Sequence, residues 1–161
     1  MQITRFRQTS TGIALLAIVF TTVYALLSGV DANWDLRNYH YWAVYAMLNG
    51  TTFLDIAPAQ IQSWTNPIVL VPAYIMIKSW SPMFATAGLG ALAGLNAVLI
   101  LFLSLAITRS GSLQWRLWIS LSAVICALSG PIFLSQVGTT FSDVFCSIFV
   151  LAGVLALYAA G

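Results

Sequence analysis

PIVLVPAYIMI, residues Pro67 to Ile77, is apolar throughout but only 11 residues long, and Pro72 interrupts it. As a helix it would reach about 17 Å, well short of a hydrocarbon core of roughly 30 Å. Its placement decides the topology. If it crossed a membrane, the next apolar run would return outward. Arg109 and Arg116 would then fall in a short outer loop, against the tendency of basic residues to stay inside. If it lies on the surface or re-enters, the run Met83 to Thr108 goes inward and RSGSLQWR (Arg109 to Arg116) is an inner loop. The second placement gives four spans, the first gives five, and four is preferred.

On that placement the expected spans are 12–30, 83–108, 117–136 and 144–161, with an outer loop at 31–82 that carries surface helices. The fold class is therefore an all-α, polytopic membrane protein in a single transmembrane unit. Gly12 to Val30 is a run of 19 residues with no charge, preceded by Arg5 and Arg7. It exceeds the roughly 7–15 residues of a signal-peptide core and reads as an uncleaved first span with a cytoplasmic N-terminus. Gly90-Ala-Leu-Ala-Gly94 is a GxxxG pattern, a candidate for close helix packing.

Composition agrees. Hydrophobic residues make up 60% of the chain and charged residues 6%, with a mean hydropathy of +0.93. Soluble domains carry roughly a quarter charged residues, so lipid must be the main solvent here. A net charge of +2 does not point to nucleic acid. Cys126 and Cys146 sit in apolar runs and read as buried structural thiols, with no zinc or redox spacing.

The scarce charge gathers in VDANWDLRNYHYWAVYAMLNG, Val30 to Gly50. Asp31, Asp35, Arg37 and the only histidine, His40, fall within ten positions. Asn33 or Asp35 can cap a helix start. Leu36, Tyr39, Ala43, Ala46 and Met47 then follow amphipathic spacing, and Asn49-Gly50 is a stop. This predicts a surface helix over Leu36 to Leu48, with Trp34, Tyr39, Tyr41, Trp42 and Tyr45 at headgroup depth. Asp55 and Pro58 suggest a further short helix before Asn66.

Asp35 is the leading candidate for chemistry, as a general base or as a carboxylate meeting a divalent metal brought by a phosphate-bearing substrate. No motif specifies a metal site. Asp31 is the second candidate. Arg37 and His40 suit an anionic group such as a diphosphate. Lys78 reads as a base reaching toward headgroups. Asp143, in SQVGTTFSD, either caps the last helix or joins Asp35 on the outer face, flanked by Gln136, Thr139 and Thr140.

Three of these features together resemble the N-terminal part of the GT-C glycosyltransferases, notably families 39, 83 and 87. They are the acidic residue and aromatic helix from Asp35 to Gly50, the proline-led helix opening at Asn66-Pro67, and the polar turn before a span opening at Asp143. The resemblance implies a polyprenyl-phosphate sugar donor, an acceptor on the outer face of an inner or plasma membrane, and catalysis by Asp35 or Asp31. It further implies that Arg37, His40, Tyr39 and Asp143 contact substrate. Many members carry an adjacent acidic pair, whereas here the acids stand apart. Members also have seven or more spans, so the chain reads as the N-terminal portion of a longer enzyme. A transporter or flippase subunit and a non-catalytic assembly protein are the competing classes. A transporter predicts ionisable groups within the spans, and this sequence places them at the ends.

Overall fold

The computed structural model describes residues 2–54 and 60–160, and within them all regular structure is helical. The expected helix at Asp55 and Pro58 lies outside the described residues. The helices are α1 (Gln2–Ser28), α2 (Tyr41–Asn49), α3 (Val71–Ser79), α4 (Pro82–Ile107), α5 (Leu113–Leu128), α6 (Pro131–Gln136) and α7 (Ser142–Ala160). A π-helical turn, Leu36–His40, leads into α2, and a 3-10 turn, Pro67–Leu70, leads into α3.

Three helices are long and apolar enough to cross a membrane: Phe6–Ser28 within α1, Pro82–Ile107 and Ser142–Ala160. The expected run 117–136 is not one helix. α5 begins earlier, where Ser112 Oγ accepts from Trp115 N, and it ends at Leu128. Gly130 is extended and Pro131 opens α6. Proline supplies no N–H for the preceding turn, and its ring crowds the helix before it. At 16 residues α5 is about 24 Å long.

α1 and α4 run antiparallel in close contact along the GxxxG face. A Cβ on Gly90 would lie 2.7 Å from Ala25 Cβ and 2.8 Å from the Thr21 carbonyl, and one on Gly94 would lie 2.8 Å from Ile18 Cα. Only glycine permits this approach. α5 runs back along α4, burying Val124 with Ala17, Ala97 and Leu101. α7 runs parallel to α4, joined to it by the buried Asn96. The Asn96 amide donates to the Val144 carbonyl at 3.0 Å, and Ser147 Oγ donates to Asn96 Oδ1 at 2.8 Å. Where there is little hydrophobic drive between helices, such polar contacts contribute about 0.6 to 1.7 kcal/mol each. Asn96→Leu should therefore loosen α7 and lower thermal stability in detergent by about 1–2 kcal/mol.

Leu15, Leu16, Val19 and Leu27 of α1 and Phe149, Val150 and Leu157 of α7 are exposed. Outward apolar surfaces suit a lipid solvent. Cys126 and Cys146 are also exposed, contrary to the expectation of buried thiols. In lipid, an apolar run does not have to point inward.

The two ends of the bundle differ in charge. At one end Arg116 Nη2 donates to the Leu105 carbonyl at 2.9 Å, with its guanidinium 4.9 Å from the Phe6 ring. The Arg109 guanidinium lies 5.8 Å from the Tyr158 ring. At the other end α2, α3 and their lead-in turns form a cap over α4 and α7. Val44, Leu70, Ala73 and Tyr74 pack there with Leu89 and Phe145. Asp31, Asp35 and His40 belong to this second end.

Candidate functional site

The chain leaves α1 through Gly29 (φ 92) and enters an Asx turn in which Asp31 Oδ1 accepts from Asn33 N at 3.1 Å. Asn33 Oδ1 then accepts from Leu36 N at 2.7 Å. Asn33 is thus the cap, and Asp35 makes no side-chain capping bond. The π turn after it adds a residue to the helical repeat. The expected Ala43 and Ala46 are buried and Met47 packs against the cap's core, but His40 takes the inward place expected of Tyr39, and Val44 joins the buried face. The end of α2 is as expected, with Gly50 left-handed (φ 70) and its N–H donating to Ala46 O.

On the other side of the site is the loop between α6 and α7. Gly138 (φ 81) turns it, and a Cβ there would lie 2.6 Å from Ala25 Cβ. This close seat on α1 delivers Thr140 to Asp31. Thr140 N donates to Asp31 Oδ2 at 2.8 Å, and Thr140 Oγ1 lies 3.0 Å both from the same oxygen and from His40 Nδ1. His40 and Thr140 are 5% and 2% exposed. Half-buried Asp31 and buried His40 and Thr140 therefore form one polar cluster that joins the segment after α1 to the segment before α7. Burial pushes the His40 pKa down, against the smaller opposing influence of Asp35 and Asp31.

Asp35 stands beside this cluster, half-buried, at the start of the π turn. Tyr39, four positions on, is its electrostatic neighbour. Burial first, and then the Asp35 charge, raise the Tyr39 hydroxyl above the usual phenol range. The Tyr39 ring packs edge-on against His40, with centroids 4.5 Å apart. Arg37 is exposed. Asp143 is also exposed and accepts from Gln136 Nε2 at 3.1 Å, so it lies on the same loop system without entering the polar cluster. The Tyr41 and Tyr74 rings pack with centroids 4.8 Å apart, and Lys78 Nζ lies 5.5 Å from the Tyr74 ring centre. Lys78 thus packs over an aromatic ring of its own helix.

The structure therefore gathers Asp31, Asp35, Tyr39 and His40, and leaves Arg37 and Asp143 at the periphery. Sequence reasoning named Thr140 only as a neighbour of Asp143. The local signal for it was Gly138, two positions earlier, a turn residue that sets the direction of the chain into Thr140. Among the described residues, no group of three or more His, Cys, Asp or Glu side chains is placed to hold a metal ion.

Beside the cluster is a cavity of about 110 Å³, walled by Val30, Leu36, Ile77, Pro82, Ala85 and Leu89, with Asp31 and Thr86 as its polar members. A second cavity, about 10 Å³, is lined by His40, Thr140, Tyr41 and Tyr74 with apolar neighbours. It is about the size of one water molecule.

Fold and site together define an all-helical protein with three helices fit to cross a membrane and a polar site built at one end of the bundle. No family model, curated protein or solved structure matches the chain.

Proposed function

We propose that this chain is a membrane glycosyltransferase of the GT-C type, or the N-terminal portion of one. It would transfer a sugar from a polyprenyl-phosphate donor to an acceptor hydroxyl at the membrane surface. The observation that carries this reading is the setting of Asp35. Its carboxylate stands half-buried at the head of an aromatic helix, with the Tyr39 hydroxyl beside it. Asp31 already accepts three hydrogen bonds within the protein. Asp35 is therefore the carboxylate with acceptor capacity to spare.

In the proposed reaction Asp35 takes the proton of the acceptor hydroxyl as that oxygen attacks the anomeric carbon. The bond from the anomeric carbon to the lipid phosphate breaks, and the phosphate leaves with the electron pair. Arg37, which is exposed, would meet its charge. The exposed aromatics Trp34 and Tyr45 offer surface to the sugar or the prenyl chain. Asp143 and Gln136 form a second polar edge on the α6–α7 side.

The same reading proposes a topology. α1, α4, the α5–α6 pair and α7 make four crossings, with the arginine-bearing end in the cytoplasm as the positive-inside tendency requires. The cap and Asp35 then face the periplasm or cell exterior, from an inner or plasma membrane. Asp35→Asn in the full-length protein should lower transfer from a polyprenyl-phosphate sugar by about 10²–10⁴-fold at normal expression, the usual contribution of a general base. An unchanged rate would remove Asp35 from the mechanism.

A further inference from the structure

The Asp31–Thr140–His40 cluster has a direction built into it. As a carboxylate, Asp31 only accepts hydrogen bonds, and its Oδ2 faces both the N–H and the Oγ1 of Thr140. The Thr140 hydroxyl has a single proton. Spent on Asp31, it leaves only a lone pair for His40, whose Nδ1 lies 3.0 Å away. Nδ1 must then carry a hydrogen, and in the neutral ring Nε2 is bare.

The ends of this chain of groups open on different spaces. His40 and Thr140 line the small cavity, and Asp31 lines the larger one. Leu36 and Ile77 line both cavities, which are therefore neighbours. We propose that Asp31, Thr140 and His40 form a proton relay connecting the two cavities. A proton accepted at Nε2 releases the Nδ1 proton to Thr140 Oγ1, whose own proton passes to Asp31 Oδ2. The products are the Nε2–H imidazole, an intact threonine hydroxyl and a protonated Asp31 beside the larger cavity. The reverse transfer restores the starting form, so the relay holds and returns one proton. No sugar donor or acceptor enters the scheme, which therefore goes beyond the transferase reading.

The groups facing His40 fit this role. Asp31 and Asp35 favour the charged ring, burial opposes it, and burial is the larger influence. Tyr39 and Phe141 pack against the ring edge-on, while Tyr41 and Tyr74 stand across the small cavity. Lys78 sits over the Tyr74 ring.

His40 is the only histidine, so ¹⁵N-histidine NMR of the full chain in lipid nanodiscs reads it alone. The neutral ring should be in the Nδ1–H form, with a titration midpoint below the free-imidazole value of about 6.5. T140S should keep that form and T140V should lose it. D31N, which removes a charge favouring the protonated ring, should lower the midpoint further. Exchange of the ring N–H with solvent should slow at least about tenfold in D31N, because one exit for the proton is gone; a merely structural contact would speed exchange by loosening the loop. A predominant Nε2–H form in the unmodified protein would overturn the relay, as would exchange that is unchanged or faster in D31N. The unmodified protein and T140S decide the tautomer even if T140V does not fold. Loss or survival of sugar transfer in Asp35→Asn bears on none of these readouts.

Discussion

Replacing Gly94 with valine should destabilise the bundle by about 3 kcal/mol or more, at the upper end of the cost of overpacking a tight interface. The first added carbon would already lie 2.5 Å from Thr21 Oγ1 and 2.8 Å from Ile18 Cα. The second of these is main chain inside α1 and cannot turn away. Thr21 is itself fixed, fully buried, with its hydroxyl donating to the carbonyls of Ala17 and Ile18 at 3.1 and 3.0 Å. The helices would have to separate along the whole face, taking Gly90 out of contact with Ala25. Two other glycines serve as controls. A Cβ on Gly88 would meet only side-chain atoms of Trp80 and Met76, which can shift, and one on Gly153 would meet nothing within 4 Å. Thermal unfolding in a mild detergent should rank Gly94→Val far below Gly88→Ala and Gly153→Ala. Equal losses at Gly94 and Gly153 would show that the α1–α4 contact contributes no special stability.

That face could be read from the sequence because two glycines four apart in an apolar run have one common use. Asn66 was readable for a similar reason: its side chain accepts from Ile68 N at 3.1 Å ahead of Pro67, a local device with a local signature. Asn49-Gly50 is another. What escaped had two causes. The π turn at Leu36–His40 shifts the buried face by a residue, and no spacing rule with a fixed period anticipates it. It exchanged Tyr39 for His40 as the inward residue and so reshaped the site. The Asp31–Thr140 contact joins residues 109 positions apart, and nothing local to Asp31 marks its partner. Asn33 and Asp35 were both qualified as the cap, and the sequence could not choose between them; the structure uses Asn33, two positions earlier. The break at Gly130-Pro131 was written in the sequence, but the apolar residues on both sides made one span look continuous. Asn96 was visible too, as a lone amide in an apolar run. Its value depends on Val144 and Ser147, which only the packing of α7 brings near.

The two acids near the start of the cap should separate cleanly when each is removed. Asp31→Ala leaves the buried Thr140 N–H without its acceptor and takes away the acceptor of Asn33 N as well. An orphaned buried donor costs about 1–3 kcal/mol, so the combined loss should be about 2–4 kcal/mol. The Thr140 hydroxyl suffers less, because its oxygen still accepts from His40 Nδ1 and its O–H can rotate toward another acceptor. The damage should concentrate where the bonds were. Hydrogen exchange over 137–141 and over the π turn should rise, while α1 and α4 stay protected by their glycine contact. Thr140→Val removes the hydroxyl but keeps the backbone donor, and so should cost less. Combining it with Asp31→Ala should give a total below the sum of the two, with a coupling of about 0.5–3 kcal/mol, because both act on one shared bond. Asp35→Asn breaks none of these contacts and should leave the melting temperature nearly unchanged. An acid that stabilises the fold without being spare and an acid that is spare without stabilising the fold are different components. If Asp31→Ala were as stable as Asp35→Asn, the three hydrogen bonds at Asp31 would have no energetic weight, and the cap would have to be held by the apolar packing of Val44, Tyr74 and Phe145 alone.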